Sequence, residues 1–315
     1  MVGRRVKFEI LSQLIKGSAH GFLGNRYGQV HLWCDPESSD STQPRIFVDF
    51  ELQSQLSAHN TVAGLGPEVH RLLDWVDHSC APLTRRRINN WLAGRVIGCL
   101  SDVICCFASD MSGIRGVATF IADQVKQDPP SDLPIDLLPR MLVVVDTASV
   151  SYDSAVAERK LLTSVKSMLH DCHDFNGNDG MPSVLRRYYR EVRVLSIPKS
   201  SGSRDRARRF RRMVTSMSDV SIASKAQGCV RFNLLHAETL LGRMLDHFCA
   251  RKPDPFSFIL QSRAAGLSLE NFAKHIHELW DLLPSESWFC YLASPLLVSS
   301  ILLSSYPPGC HGNNA

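Results

Sequence analysis

The sequence contains no Gly-Lys-Ser or Gly-Lys-Thr, so it has no phosphate loop of the Gly-x-x-x-x-Gly-Lys-Ser/Thr type. Without that Lys and hydroxyl, the β- and γ-phosphates and magnesium lose their usual ligands. Efficient nucleotide triphosphate hydrolysis is therefore not expected. There is no Gly-x-Ser-x-Gly elbow either, so nothing local positions a serine nucleophile of the esterase type. The 10 cysteines form no Cys-x-x-Cys pair. Cys105 and Cys106 are adjacent inside an apolar run, which suits a buried strand better than a disulfide. Reduced thiols and a cytoplasmic location are the expectation. The opening residues, MVGRRVKFEILSQLIKG, have charge but no apolar core of signal-peptide length. The most apolar stretch, Trp288 to Tyr306, is interrupted by Pro295. It falls short of the roughly 20 residues a spanning helix needs and reads as a buried helix. Neither sign of charge dominates: 35 basic against 31 acidic residues leave +4 over 315 residues. That balance does not by itself point to nucleic acid. Hydrophobic residues at 44% and charged residues at 21% exclude disorder along the whole chain.

The order of elements is more informative. Val6, Ile10, Leu11, Leu14 and Ile15 share one face of a helix over 6–16, which Gly17 ends. Residues 17–28 hold four glycines and read as loop. Residues 29–34 and 45–50 are strand-like and flank the polar segment DPESSDSTQP, so they predict an antiparallel hairpin. Helices are expected over 67–80 and 84–97, separated near Pro82. Three apolar runs follow, at 101–109, 140–147 and 191–197, each succeeded by a helical pattern. Continuous runs of this kind are strands buried on both faces. Their alternation with helices predicts a mostly parallel sheet, and hence an α/β fold. From residue 204 onward only helices are expected. Two units follow: an α/β domain over 1–203 and a helical region over 204–315.

Several segments are chemically suggestive. DMSGIRG, Asp110 to Gly116, joins a strand end to a helix start. Ligands in open α/β sheets sit at such ends, and free helix N–H groups attract anions. Ser112, Gly113, Arg115 and Gly116 are therefore candidate phosphate contacts. The alternative is a tight turn in which the glycines serve sterics. In HDCHD, His170, Cys172 and His173 are too tightly spaced to close around one ion without a further ligand, so no metal site is expected. RDRARRFRR carries Arg204, Arg206, Arg208, Arg209, Arg211 and Arg212, an anion-binding candidate. At helical spacing these six spread around most of the circumference, and one aromatic among them gives little support for base stacking. The alternative is a solvated basic helix docked by Phe210 and Met213. None of the 12 histidines has a local signature of catalysis, and His236 in its helical run reads as a packed or surface residue.

The succession of helix, glycine-rich loop, hairpin ending at Asp49-Phe50-Glu51, and buried strands ending at Ser109, Asp146 and Ile197 resembles a GTPase domain of P-loop topology. The resemblance lacks the first strand and the phosphate loop, which would then lie upstream of Met1. It implies that Asp49 matches the second-switch acid, although Leu52 stands where such proteins carry Gly. It implies that Asp146 matches the Asp that reads guanine, with Ser196 to Gly202 bordering the base. A second resemblance rests on FVDFEL, SDVICCFASDMSGIRGVATFIADQV, LPRMLVVVDT and SSILLSSYPPGCHG. These are similar to the N-terminal region of large fungal proteins that carry a patatin-like phospholipase domain further along. The chain ends about where such proteins continue. Asp179-Gly180-Met181 matches the patatin dyad poorly, so a lipid-hydrolase context is implied but not hydrolysis by this chain. Together the resemblances imply a non-catalytic, GTPase-like regulatory or interaction module with a protein partner. They imply no cofactor, with weak GTP or GDP binding as the alternative. A nucleotide or lipid acyl hydrolase, and an anion-binding module for nucleic acid or an acidic membrane surface, are the other readings.

Overall fold

The computed structural model describes residues 1–15, 30–41, 44–50, 88–127, 133–148, 153–170, 181–227 and 234–250, with 256–258 and short stretches between 274 and 298. Helix α1 spans Arg5–Leu14. Strands β1 (Val30–Cys34) and β2 (Ile46–Phe50) pair antiparallel, with Leu32 opposite Val48. This is the hairpin the sequence predicts. Helix α2 covers 88–100, and its middle, Leu92–Gly98, is wound as π-helix. Strand β3 (Val103–Phe107), helix α3 (Ile114–Gln127), strand β4 (Arg140–Thr147), helix α4 (Ser154–Leu169), the short helix α5 (Met181–Leu185), strand β5 (Val192–Pro198) and helix α6 (Ser203–Gln227) follow. β3, β4 and β5 form a parallel sheet in that order, so the fold is α/β.

Two residues join hairpin and parallel sheet. Val2 bridges Phe50 on one side and Cys106 on the other, both in parallel sense. Its N–H donates to the Cys105 carbonyl at 2.7 Å, and its own carbonyl accepts from Phe107 N–H at 2.9 Å. The Met1 carbonyl accepts from Phe50 N–H at 3.1 Å, and the Met1 amine donates to the Val48 carbonyl at 2.6 Å. Burial lowers the pKa of that amine. Across the sheet the order is β1, β2, Met1–Val2, β3, β4, β5.

Strand parity explains the apolar runs. Ile104, Cys106, Met141 and Val143 pack on one side with Val117, Phe120 and Ile121 of α3 and Ala157, Leu161, Val165 and Leu169 of α4. Cys105, Phe107, Leu142 and Val144 pack on the other with Ile10, Leu11 and Leu14 of α1 and Ala207, Phe210 and Met217 of α6. Both faces are covered, so Val103–Phe107 of β3 and residues 141–145 of β4 are apolar at every position. Each fully buried side chain of this size contributes about 1.5–3 kcal/mol. The Asp153 carboxylate caps α4, accepting from Ala155 N–H at 2.8 Å.

The boundary expected at residue 203 falls where α6 begins. That helix shares the core of the sheet, and Phe210 lies 5.5 Å from Phe107 between ring centroids. A third core joins α2 to α7 (Leu234–Cys249), where Leu240, Met244 and Phe248 meet Val96, Phe256 and Phe258. A short helix α8, Glu286–Trp288, lies near the end. No helix among the described residues is long and apolar enough to cross a membrane. The helix expected over 67–80, the loop 17–28, Cys172, His173 and the last fifteen residues lie outside the described residues.

Candidate functional site

The carboxyl ends of β2, of the turn after β3, and of β4 carry Asp49, Asp110 and Asp146. Each is tied to α1 directly or through one arginine. The first turn of a helix leaves N–H groups without intrahelical partners, and Arg4, which precedes α1, supplies no side-chain cap. Asp110 fills that role from a distance. Its Oδ2 accepts from Arg4 N–H at 2.7 Å and Lys7 N–H at 3.0 Å, and its Oδ1 accepts from Val6 N–H at 3.0 Å. A carboxylate thus sits where positive helix-end potential would draw any anion. Gly3 allows the approach. Its φ is +153°, and a Cβ there would lie 2.8 Å from Asp110 Oδ2 and 2.9 Å from Phe107 Cβ.

Lys7 points from α1 to the carboxyl end of β2 and is fully buried. Its Nζ lies 2.6 Å from Asp49 Oδ1 and donates to the Phe50 carbonyl at 3.1 Å. A buried lysine is tolerated only with such partners. Asp146, at the end of β4, is held by Arg206 of α6 at 2.8 Å. The same guanidinium donates to Glu9 of α1 at 2.9 and 3.1 Å. One turn further on, Arg211 donates to the Leu14 carbonyl at 2.9 Å, lies 3.2 Å from Asp35, and pairs with Glu37. The acids expected to meet a nucleotide are therefore engaged by internal cations.

The turn after β3 is tight. Ser112 and Gly113 are both left-handed, at φ 64° and 80°. Gly113 N–H donates to the Ala108 carbonyl at 2.7 Å, and the Gly113 carbonyl accepts from the N–H groups of Gly116 and Val117 at 3.1 and 3.3 Å. A Cβ on Gly116 would lie 1.3 Å from the Met111 carbonyl oxygen. These backbone groups bond within the turn, and the steric reading accounts for Gly116. Ser112 and Arg115 are exposed.

Of the six arginines of the basic run, Arg206 is buried and Arg211 half-buried, both inside the ion pairs described above. Arg204, Arg208, Arg209 and Arg212 are exposed. Sequence reasoning missed Lys7, Asp110 and Arg206 as partners. One signal was present: Lys7 lies three, four and seven residues before Ile10, Leu11 and Leu14, so it falls on the buried stripe of α1. Burial also sets the chemistry of the adjacent cysteines, raising Cys105 to about 11 and Cys106 to about 12. Neither thiol is a nucleophile at neutral pH. Among the described residues no group of three His, Cys, Asp or Glu side chains is placed to hold a metal ion. No protein-family model, curated protein or solved structure matches this chain.

Proposed function

We propose that the chain is a non-catalytic, GTPase-like module for regulation or interaction, whose nucleotide positions are filled by its own side chains. The sheet order supports this reading, with Met1–Val2 running between β2 and β3 in the place of a first strand. So does the position of α1 directly after it, where a phosphate loop would lead into its helix. The observation that carries the reading is the Asp110 carboxylate at the start of α1. It accepts three backbone N–H groups there and occupies the position that a phosphate would take. A phosphate brought to the same place would meet a fixed negative charge and find the amides already bonded. The Lys7–Asp49 and Arg206–Asp146 pairs extend the same pattern to the switch-like and base-reading positions. A protein partner, rather than a reaction, is the expected output.

The test is calorimetry of the purified chain with GTP, GDP and ATP, with and without magnesium. The expected result is no affinity tighter than a Kd of about 1 mM, equivalent to about −4 kcal/mol. Tight, magnesium-dependent GTP binding would sink the reading.

A further inference from the structure

Periodicity alone scatters the six arginines of α6, but burial sorts them. Arg206 and Arg211 turn inward and are neutralised by Glu9, Asp146, Asp35 and Glu37. The exposed four, Arg204, Arg208, Arg209 and Arg212, fall within an arc of about 140° at 100° per residue. Arg204, Arg208 and Arg212 succeed one another every four residues, about 6 Å apart along the axis. Only Arg208 of these is paired on the helix, with Asp205 at 3.5 Å, and both side chains are largely exposed. Such a pair is weak in water.

Helix α1 extends this surface. Arg206 meets Glu9 and Arg211 meets Leu14, so α1 and α6 run side by side in the same direction. Their N-terminal ends therefore lie together, bringing exposed Arg5 beside the start of α6, with exposed Lys199 just before it. Phe8, 37% exposed, lies one turn beyond Arg5 on the same face of α1. The nearby acids, Glu9, Asp49, Asp110 and Asp146, are all engaged inward. Over residues 204–212 of this face of α6, four exposed arginines stand against one exposed acid, Asp205.

We infer that the outward face of α6, extended by Arg5 and Phe8 of α1, docks on the anionic headgroups of a lipid bilayer. Guanidinium forks match phosphate oxygens. The surface is built from two helices lying side by side on a sheet, and a headgroup plane asks for no groove. A half-exposed Phe among arginines suits the boundary between headgroups and acyl chains. Single-stranded nucleic acid fits less well. The only aromatic residue of α6, Phe210, is buried, which leaves Phe8 alone on this surface, and a single ring is poor support for stacking successive bases.

The experiment is sedimentation of the full chain with vesicles of phosphatidylcholine alone and of phosphatidylcholine with phosphatidylserine, over a range of salt. Binding should need phosphatidylserine and weaken as salt rises. The triple variant Arg204→Glu, Arg209→Glu, Arg212→Glu should lose about a hundredfold in vesicle affinity. The corresponding Gln variant serves if charge reversal impairs folding, and circular dichroism checks both. A third arm offers single-stranded RNA. Absence of phosphatidylserine-dependent binding overturns the inference, as does undiminished binding by folded triple variants. RNA binding without vesicle binding overturns it too.

Discussion

The backbone N–H of Lys7 donates to the Asp110 carboxylate at 3.0 Å, across 103 residues of chain. The other end of the same residue, its ammonium, lies 2.6 Å from Asp49. One residue of α1 thus ties the end of β2 to the turn after β3. The start of α1 is closed by the protein's own charges.

Replacing Asp110 tests the cap. Asp110→Ala should lower stability by about 1–2 kcal/mol, the range of a charged cap on a partly buried helix start. Asp110→Asn keeps an acceptor oxygen but loses the charge, so it should lose less. Urea unfolding reads both. An Asp110→Asn variant as stable as the parent would show that the charge of the cap contributes nothing.

The Lys7–Asp49 pair is buried on both sides, and its parts should be strongly non-additive. Lys7→Met alone leaves a buried carboxylate without its cation and should cost about 3–5 kcal/mol. Adding Asp49→Leu should restore most of that stability. A double mutant no better than Lys7→Met would mean that the two charges do not act as a pair.

The Cys105 and Cys106 thiols, pushed by burial to about 11 and about 12, should be inert in the native protein. At pH 8 the thiolate fraction is about one part in a thousand or less. Cys34 and Cys290 are exposed and, of the described cysteines, should react first. Timed alkylation resolved by peptide mass spectrometry gives the order. Prompt labelling of Cys105 or Cys106 before denaturant is added would contradict the buried-strand placement.

Glu191 gives a pH signature. Burial raises its pKa, but hydrogen bonds from Arg140 and Arg193 outweigh this and hold it below its usual 4.5. A carboxyl depressed in the folded state contributes its stability above the unfolded value. That contribution is lost as pH falls through the folded value. Urea midpoints measured from about pH 6 down to about pH 3 should therefore drop more steeply for the parent than for Glu191→Gln. Parallel curves would exclude Glu191 as a source of acid sensitivity.

The central strands were legible because both faces are covered, which leaves an unbroken apolar run such as Met141 to Val144. The hairpin was legible from its polar turn, and α4 from the four-residue spacing of Ala157, Leu161, Val165 and Leu169. The site was legible only in part. Asp49 and Asp146 stand out as polar ends of apolar strands, but their cations come from other elements. Arg206 reaches Asp146 across 60 residues and Glu9 across 197, and no local pattern encodes such pairings. The basic run illustrates the same limit. Which arginines face out depends on what α6 packs against, and that is fixed by the fold rather than by the run.

Among the described residues, the only backbone bonds between the hairpin and the parallel sheet pass through Met1 and Val2. Side chains supply the other ties: Phe50 and Phe47 pack into the two cores, Lys7 pairs with Asp49, Arg211 with Asp35 and Arg45 with Asp219. The order in which the molecule comes apart follows from this. The two blades of the sheet are riveted by a dipeptide, so the hairpin can peel away while β3, β4 and β5 stay zipped. Amide protons of β1 should then exchange with solvent long before those of β4, whose ladder is flanked on both edges. Cooperative melting should then belong to the parallel half, with the hairpin as a leaf hung on it.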